Sequence, residues 1–407
     1  MLQPEVYWPA DLCQRDVVRG GSEHQPILLL TDPELIKTVL LAPPDTWSRS
    51  RAHELIIGQG LGPKSLFVVR DQTWRRLRRA LAPSFARHVI TKQASNFAHC
   101  AQLATERWKN CGTTTVDIAR DAVVMTLALF WSRLAGISLQ QKTLSDLSPI
   151  ADRLVATHRG EDAASYVGLI RELVDEIVRM GGEAVLDSVM PSSDAKFPMS
   201  QAERIDNART MLLAGHETTA ASLAWAVWLL ADDPSRQARA RAEVQAALQT
   251  QPLSELSALD LPFCNAVIKE GQRLFPPALM TTRKAERAVR LGDMDLPEGS
   301  NVICVFYAMH RRADQFEQPD SFRPERFLGP GAEPQHPFGF LPFSAGQRVC
   351  LAGPYADHSA LLILASLLAD WEFTEPEDAE PVRLGVTLSM QSATPLHVNI
   401  KPVGGAG

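Results

Sequence analysis

The chain has 407 residues with a formal net charge of −6 and 22% charged residues, so it is long enough to bury a large core. This balance excludes a general electrostatic attraction to nucleic acid or to an anionic membrane. Six cysteines without paired spacing indicate reduced thiols, and the first residues contain neither a basic nor an apolar leader segment. We therefore predict a cytoplasmic protein with one domain over residues 1–407.

The N-terminal part predicts a strand, a turn and a helix over residues 27–41. The following stretch, residues 42–66, contains prolines and glycines and has neither a helical nor a strand period. Long irregular segments in compact domains often carry function. Two interpretations remain open for it, a plain surface loop and a lid over a substrate.

A helix is predicted over residues 71–81, and it carries one tryptophan and four arginines. Such a pattern can be an ordinary solvated basic face. Trp74 and Arg78, however, are four residues apart and therefore lie on one side of the helix. An indole N–H and a guanidinium would then point to the same place.

Long amphipathic helices follow, and we interpret them as scaffold: residues 90–110, 116–135, 141–158 and 161–180. The next helix, about residues 200–231, ends in an apolar run over residues 211–231 that is long enough to resemble a membrane span. Polar residues from His216 to Thr219 interrupt this run. They favour a helix buried inside the protein over a helix in lipid.

The helix predicted over residues 261–274 contains Glu270 and Arg273, which are three residues apart and share a face. A surface pair of this kind contributes only about 0.2–0.5 kcal/mol. Two prolines end the helix, and residues 278–291 indicate a strand. In the tail, residues 371–402, apolar and polar residues alternate in the way typical of strands.

The most informative stretch is residues 343–353, which precede an apolar helical pattern over residues 355–368. Cys350 lies just before this helix, whose N-terminal dipole favours a thiolate. Such a thiolate could bind a metal ion, and Arg348, two residues earlier, could bind carboxylate groups of the molecule that carries this metal. Haem meets both requirements, because its iron takes an axial thiolate and its propionates take arginine. The alternative is an ordinary buried cysteine.

Four residues of this stretch form the pattern Phe-x-x-Gly-x-Arg-x-Cys: Phe343, Gly346, Arg348 and Cys350. The pattern resembles the ligand loop of the cytochrome P450 family, and Ala356 matches the small residue that the family places six positions after the cysteine. The family usually has glycine two residues after the cysteine. Here Ala352 takes that place and Gly353 comes one step later, so we expect the first turn after the ligand to differ slightly.

A stretch of the long helix, Ala-Gly-His-Glu-Thr-Thr beginning at Ala214, resembles the family's signature on the central helix that crosses the haem. Ala214 and Gly215 would let the backbone approach a flat ring, and a hydroxyl bonded back to a carbonyl would loosen the helix. Glu217 and Thr218 would then deliver protons for splitting the O–O bond. Alternatively, these two side chains merely satisfy each other. We interpret His216 as a bystander.

The resemblance also assigns several arginines. Trp74 and Arg78 resemble the family's propionate-binding helix, and Arg283 falls where the family has a third propionate contact. The other arginines of that helix would point outward as a positive patch for an acidic electron donor: Arg75, Arg76 and Arg79.

Residues 322–327, Phe-Arg-Pro-Glu-Arg-Phe, resemble the family's meander motif. The resemblance implies that Arg326 joins Glu270 and Arg273 in a buried charge cluster. We expect this cluster to support the Cys350 loop from behind, in a structural role.

The resemblance implies a mainly α fold with small β-sheets, with haem b between the central helix and the helix after the cysteine loop. It implies a soluble bacterial haem-thiolate monooxygenase that hydroxylates or epoxidises a small apolar substrate with dioxygen. We expect such an enzyme to act in secondary metabolism. The sequence has no flavin or iron–sulfur motif, so the expected electron donors are a separate ferredoxin and its reductase. We expect no nucleic-acid partner and no membrane span.

Three alternatives remain open. A peroxide-driven haem-thiolate enzyme would share Cys350 but can dispense with the acid–threonine pair. The same oxidant could also end in desaturation, ring closure or coupling. A haem gas sensor or carrier would need neither the pair nor a substrate loop. The substrate itself is not determined by the sequence, although residues 279–282 and a turn at 388–391 are expected to line its pocket.

Overall fold

The computed structural model describes residues 11–49, 61–112, 114–135, 144–160, 163–187, 190, 196–332, 334–386 and 389–404. Within these residues the protein is mainly helical with small sheets, which confirms the predicted fold class. The helices are α1 Pro33–Leu41, α2 Asp71–Leu81, α3 Arg87–Cys111, α4 Ile118–Ala135, α5 Leu144–Arg159, α6 Ala163–Asp187, α7 Gln201–Ala231, α8 Pro234–Leu248, α9 Pro262–Leu274, α10 Phe306–Met309 and α11 Gly353–Asp370.

The strands form small sheets that bring distant parts of the chain together. They are β1 Val17–Gly21, β2 Pro26–Leu30, β3 Trp47–Ser48, β4 Thr115–Asp117, β5 Met280–Ala285, β6 Val289–Leu291, β7 Met294–Leu296, β8 Asn301–Val305, β9 Trp371–Thr374, β10 Leu384–Val386, β11 Met390–Ser392 and β12 His397–Pro402. The five-stranded sheet has the order β1-β2-β8-β5-β3, and its β2–β8 pair is parallel. The other sheets have the orders β4-β12-β9, β10-β11 and β6-β7.

Helix α7 runs through the core, and most of its side chains from Arg204 onward are buried. It begins with a capping box in which Ser200 and Glu203 exchange hydrogen bonds between side chain and backbone. A helix that is buried on all sides fits the sequence pattern, since its apolar residues are not confined to one face. Within the parts of the chain that the structure describes, no helix combines the length and apolar character needed to cross a membrane.

The end of the irregular stretch before α2 is attached to α7 by buried polar side chains. The Leu66 N–H donates to Asn207 Oδ1 over 2.9 Å, and the Ser65 and Thr210 hydroxyls are 2.7 Å apart. This end of the predicted lid is therefore fixed to the central helix. Residues 50–60, the middle of that stretch, lie outside the described residues.

The structure also contains elements that the sequence analysis did not identify. Helix α8 begins after Asp233, whose side chain accepts the Arg236 N–H, and it has Pro234 in its first turn. Its buried face is narrow and includes the polar Gln237. Strand β8, which pairs with both β2 and β5, was also missed.

Candidate functional site

The Cys350 loop is closed by its own backbone and delivers its sulfur to the start of α11. The Cys350 N–H donates to the Phe343 carbonyl over 2.9 Å, and the Val349 N–H donates to the Gly346 carbonyl over 3.1 Å. The backbone N–H groups of Ala352 and Gly353 point at the cysteine sulfur. The sulfur therefore lies at a helix N-terminus, where N–H dipoles favour a negative charge.

The Cys350 side chain is solvent-accessible, although protein surrounds it closely enough for burial to dominate its protonation. Burial raises the pKa of the Cys350 thiol, while the Ala352 N–H, the positive charge of Arg78 and the Gly353 N–H lower it. A sulfur that is surrounded by protein but still accessible can serve as a metal ligand. A bound cation would take the place of the thiol proton and stabilise the thiolate.

Glycines set the shape of this loop. Gly346 has a φ of 72°, and a Cβ on it would overlap the backbone carbonyl oxygen of Leu40 at the end of α1. A Cβ on Gly353 would lie 3.2 Å from the Phe343 ring. Helix α11 begins at Gly353, and the preceding Ala352 has a φ of −98°, which any residue adopts. Alanine at this position therefore fits the loop without strain.

Replacing Gly346 by alanine is expected to destabilise the loop through strain and overlap together. A matched control is Gly329→Ala, because Gly329 has a φ of 73° and nothing within 4 Å of an added Cβ. The control should lose about 1–2 kcal/mol from the left-handed conformation alone. Gly346→Ala should lose about 1–3 kcal/mol more through overpacking. Denaturant unfolding of both variants measures the difference, and equal losses would show that contact with α1 is unimportant.

A cavity of about 290 Å³ lies beside the loop, and three of the predicted carboxylate-binding side chains line it together: Trp74, Arg283 and Arg348. The Arg348 guanidinium stacks over the Trp74 ring at 4.5 Å from its centroid. Arg283 is buried and donates to Thr281 Oγ1 and the Thr282 carbonyl, each at 2.9 Å. Burial lowers the Arg283 pKa. A carboxylate brought beside this desolvated guanidinium would offset the cost of burying its charge.

Other charged groups line the same cavity: Asp45, Arg49, Arg70, Asp71, Arg75 and Glu286. The Arg78 guanidinium lies 5.5 Å from the Trp74 ring centroid, and its Nη2 donates to the Val349 carbonyl over 2.9 Å. Arg78 therefore supports the cysteine loop directly. Of the three arginines predicted to point outward, Arg75 and Arg79 are exposed. Arg76 instead donates to the Pro198 carbonyl and pairs with Glu203.

The signature stretch of α7 has the predicted back-bonded threonine. Thr218 Oγ1 donates to the Ala214 carbonyl over 2.8 Å, and Ser222 Oγ donates to the Thr218 carbonyl over 3.0 Å. A Cβ on Gly215 would overlap the ring of Phe130 from α4. Packing of α4 against α7 thus requires this glycine, which is a role that the sequence did not reveal.

Glu217 is 1% exposed and has partners from other elements. Ser389 Oγ donates to Glu217 Oε1 over 2.6 Å, and Gln391 Nε2 donates to Ser389 Oγ over 3.3 Å. His158 Nδ1 lies 3.7 Å from the same Oε1 atom. Because Thr218 bonds to a carbonyl and Glu217 to Ser389, the alternative that the two only satisfy each other is wrong.

Burial raises the pKa of Glu217 to about 6, and hydrogen bonds from Ser389, Gln391 and Tyr166 act in the opposite direction. Near neutral pH such a carboxyl can both give and take a proton. Ser389, from the turn predicted over residues 388–391, reaches this carboxyl, but Met390 and Gln391 lie in strand β11 and Leu388 lies outside the described residues.

The charge cluster behind the loop is confirmed. Arg273 Nε and Nη2 donate to the two Glu270 oxygens over 2.7 and 2.8 Å, and Arg326 Nε donates to Glu270 Oε1 over 3.1 Å. The connection to the cysteine loop runs through His310. Arg273 Nη1 donates to the His310 carbonyl over 2.9 Å, and the Leu341 N–H donates to His310 Nε2 over 2.9 Å.

Burial and the positive charges of Arg273 and Arg311 lower the pKa of His310, so its ring stays neutral and Nε2 can accept. His310 could not be identified from the sequence, because its partners lie 31 and 37 residues away.

The donor set fits a haem. It combines a sulfur at a helix N-terminus, guanidinium groups at a neighbouring cavity, and a central helix with the small residue Ala214, whereas Gly215 packs against Phe130. Ala356 occupies the first turn of α11, and its N–H donates to the Ala352 carbonyl over 2.9 Å.

Known proteins resemble the chain along most of its length. The family model described as Cytochrome P450 matches residues 176–398. The chain is 26% identical to Cytokinin hydroxylase of Arabidopsis thaliana, across 99% of this chain and 84% of that protein. It is 28% identical to Cyclooctatin synthase of Streptomyces melanosporofaciens, across 95% of this chain and 89% of that protein.

A further relative is Cyclooctat-9-en-7-ol 5-monooxygenase of the same Streptomyces, with 27% identity across 84% of this chain and 79% of that protein. The family model covers more than half of the chain, and relatives include a hydroxylase and a monooxygenase. The chain therefore belongs to the cytochrome P450 family of haem-iron enzymes and is an oxidoreductase.

Proposed function

We propose that the protein is a haem b monooxygenase that hydroxylates or epoxidises a small apolar organic molecule with dioxygen. The observation that carries this proposal is the arrangement on α7, where a back-bonded Thr218 adjoins the buried Glu217, whose pKa burial raises to about 6. Relatives whose names describe a hydroxylase and a monooxygenase support the reaction class.

Each part of the site has a separate task in this proposal. Cys350 binds the iron as a thiolate, and Trp74, Arg283 and Arg348 hold the propionates. The haem, when bound, supplies the redox chemistry that activates dioxygen. The protein's own contribution is to place the substrate, exclude water and deliver protons.

The two α7 side chains divide the proton transfer. Thr218 Oγ1 donates its own hydrogen to the Ala214 carbonyl, so its lone pairs remain available to accept a proton or orient a water. Glu217, whose pKa is raised to about 6, exchanges protons at near-neutral pH. A carboxyl of this kind is a suitable general acid, because its proton affinity lies close to the operating pH.

Electrons are proposed to come from a separate ferredoxin and its reductase, because the 407 residues contain no flavin or iron–sulfur motif. We also propose a reducing, cytoplasmic location for a single catalytic domain over residues 1–407. Among the residues that the structure describes, Cys13, Cys100, Cys264, Cys304 and Cys350 are free thiols, which supports such a compartment.

Thr218→Ala tests the proposal. A small apolar ligand is first selected by its shift of the haem Soret band, and turnover is then measured with a surrogate ferredoxin and reductase. Thr218→Ala should keep its haem, lose about 10-fold or more in product formed per electron pair, and release hydrogen peroxide instead. Thr219→Ala, the neighbouring threonine, serves as the matched control and should stay coupled.

Two results would contradict the proposal. One is unchanged coupling in Thr218→Ala. The other is turnover of the wild-type protein by added peroxide with none from the ferredoxin system, which would favour the peroxide-driven alternative.

A further inference from the structure

Arg78 on α2 contacts the backbone of the cysteine loop instead of the cavity that the other predicted carboxylate-binding side chains share. Among the described residues, Arg283 and Arg348 line that cavity and Arg78 does not. Arg78 Nη2 donates to the Val349 carbonyl over 2.9 Å. This oxygen belongs to the peptide unit that joins Val349 to Cys350. The guanidinium is therefore held one peptide unit away from the residue that carries the sulfur.

The peptide unit before Cys350 is fixed on both of its edges. Its N–H donates to the Phe343 carbonyl over 2.9 Å, within the loop itself. Its carbonyl oxygen accepts from Arg78, which comes from a helix 271 residues earlier in the chain. A guanidinium is planar and stays charged at any pH that a protein tolerates. The contact therefore brings a permanent positive charge to the loop.

The Arg78 charge has no carboxylate partner in the part of the chain that the structure describes. Its contacts there are the Val349 carbonyl and the Trp74 ring, whose centroid is 5.5 Å away. Arg78 and the Cys350 sulfur each shift the other's pKa toward the charged form. Arg78 is half-buried, so solvent weakens this interaction without removing it. The thiolate is thus the anion nearest to hand for this guanidinium.

We propose that Arg78 is a positioning residue of the thiolate, and that its fixed positive charge makes the haem iron easier to reduce. Reduction adds one negative charge to the iron and its sulfur ligand, so a positive charge beside that ligand stabilises the reduced form. An iron that is easier to reduce accepts the first electron from a separate donor more readily. The inference rests on the ligation by Cys350 proposed above, and it removes Arg78 from the propionate-binding set that the resemblance implied.

Asp357 on α11 acts on the sulfur in the opposite direction. Its Oδ1 accepts from Gln272 Nε2 over 3.3 Å, and burial raises its pKa to about 6. Asp357 is therefore ionised at pH 8, where Arg78 offsets part of its effect on the sulfur. Comparing variants at pH 8 keeps Asp357 in one charge state and isolates the contribution of residue 78.

Equilibrium redox titration of the haem-loaded protein at pH 8 tests the proposal. Arg78→Gln keeps an N–H donor for the Val349 carbonyl and removes the charge. Its reduction equilibrium should shift about 3- to 10-fold toward the oxidised form, which is about 30–60 mV for a one-electron couple. Arg78→Lys keeps the charge, and its equilibrium should stay within about 2-fold of the wild-type value.

Arg79→Gln is the matched control, because Arg79 is the neighbouring arginine of α2 and is exposed. It removes the same charge from the same helix at a position where water and salt screen it. Its reduction potential should equal that of the wild-type protein. An unchanged potential in Arg78→Gln, or equal shifts in Arg78→Gln and Arg78→Lys, would overturn the proposal.

Resonance Raman spectroscopy separates an effect on the thiolate from an effect on the propionates. A positive charge beside the sulfur draws electron density from the iron–sulfur bond, so the iron–sulfur stretching band should move to higher frequency in Arg78→Gln. The propionate bending band should stay in place. Arg348→Gln is the opposite case and should move the propionate band, because Arg348 lines the cavity assigned to the propionates. A propionate band that moves in Arg78→Gln, with an unchanged iron–sulfur band, would overturn the proposal.

The two proposals fail in different ways. Failure of thiolate ligation would appear in the wild-type protein as a missing long-wavelength Soret band in the reduced carbon-monoxide form. Failure of the present inference would appear as unchanged potentials in variants that keep this band. Both methods observe bound haem only and need no turnover, so a lower haem content in a variant does not obscure the result.

Discussion

Replacing Glu270 by alanine is expected to lower the free energy of unfolding by about 3–5 kcal/mol, because two buried guanidinium groups would lose their shared carboxylate. Glu270 and Arg273 are 0% exposed, and the Arg326 side chain is 1% exposed. The Arg323 N–H, which donates to Glu270 Oε1 over 2.8 Å, would lose its acceptor as well. Denaturant unfolding of the haem-loaded variant measures this loss.

The exposed pair Glu34–Lys37 is the matched control, because it has the same three-residue spacing on a helix and lies in solvent. Glu34→Ala should leave stability unchanged within error, since water screens such pairs. Glu270→Ala should also release haem more readily, because Arg273 holds His310, and His310 holds the backbone just before the cysteine loop. Similar stability of the two variants would contradict the structural role of the cluster.

Replacing Cys350 by serine is expected to abolish oxygen insertion, because a serine hydroxyl does not ionise near neutral pH and cannot replace a thiolate ligand. The variant should keep part of its haem, since the arginines and Trp74 remain in place. Activity is compared after normalising to haem content. Cys13→Ser is the control, as Cys13 is a half-buried free thiol outside the site. Full activity per haem in Cys350→Ser would contradict the assignment of the ligand.

Local patterns predicted much of this site. The bounds of α2, the back-bonded threonine and the cysteine loop follow from residues within a few positions of one another. The partner of Arg273 was also predictable, because Glu270 is three residues away on the same helix face. Each of these features depends on the geometry of a single element, which the sequence determines directly.

Long-range polar contacts could not be predicted in this way. Ser389 reaches Glu217 across 172 residues, and Tyr166 reaches His216 across 50. Neither contact leaves a periodic signal, since each depends on how separate elements pack. The only signal in the sequence was that His216 and Glu217 interrupt an otherwise apolar helix. Buried polar groups need partners, and here those partners come from α6 and the β10–β11 hairpin.

The central claim is that the Cys350 sulfur binds iron as a thiolate. The most direct measurement is the absorption spectrum of the purified, reduced protein under carbon monoxide. The wild-type protein should show the long-wavelength Soret band of thiolate coordination, and Cys350→Ser should lose this band. A wild-type spectrum without the band, or a Cys350→Ser spectrum that retains it, would contradict the account.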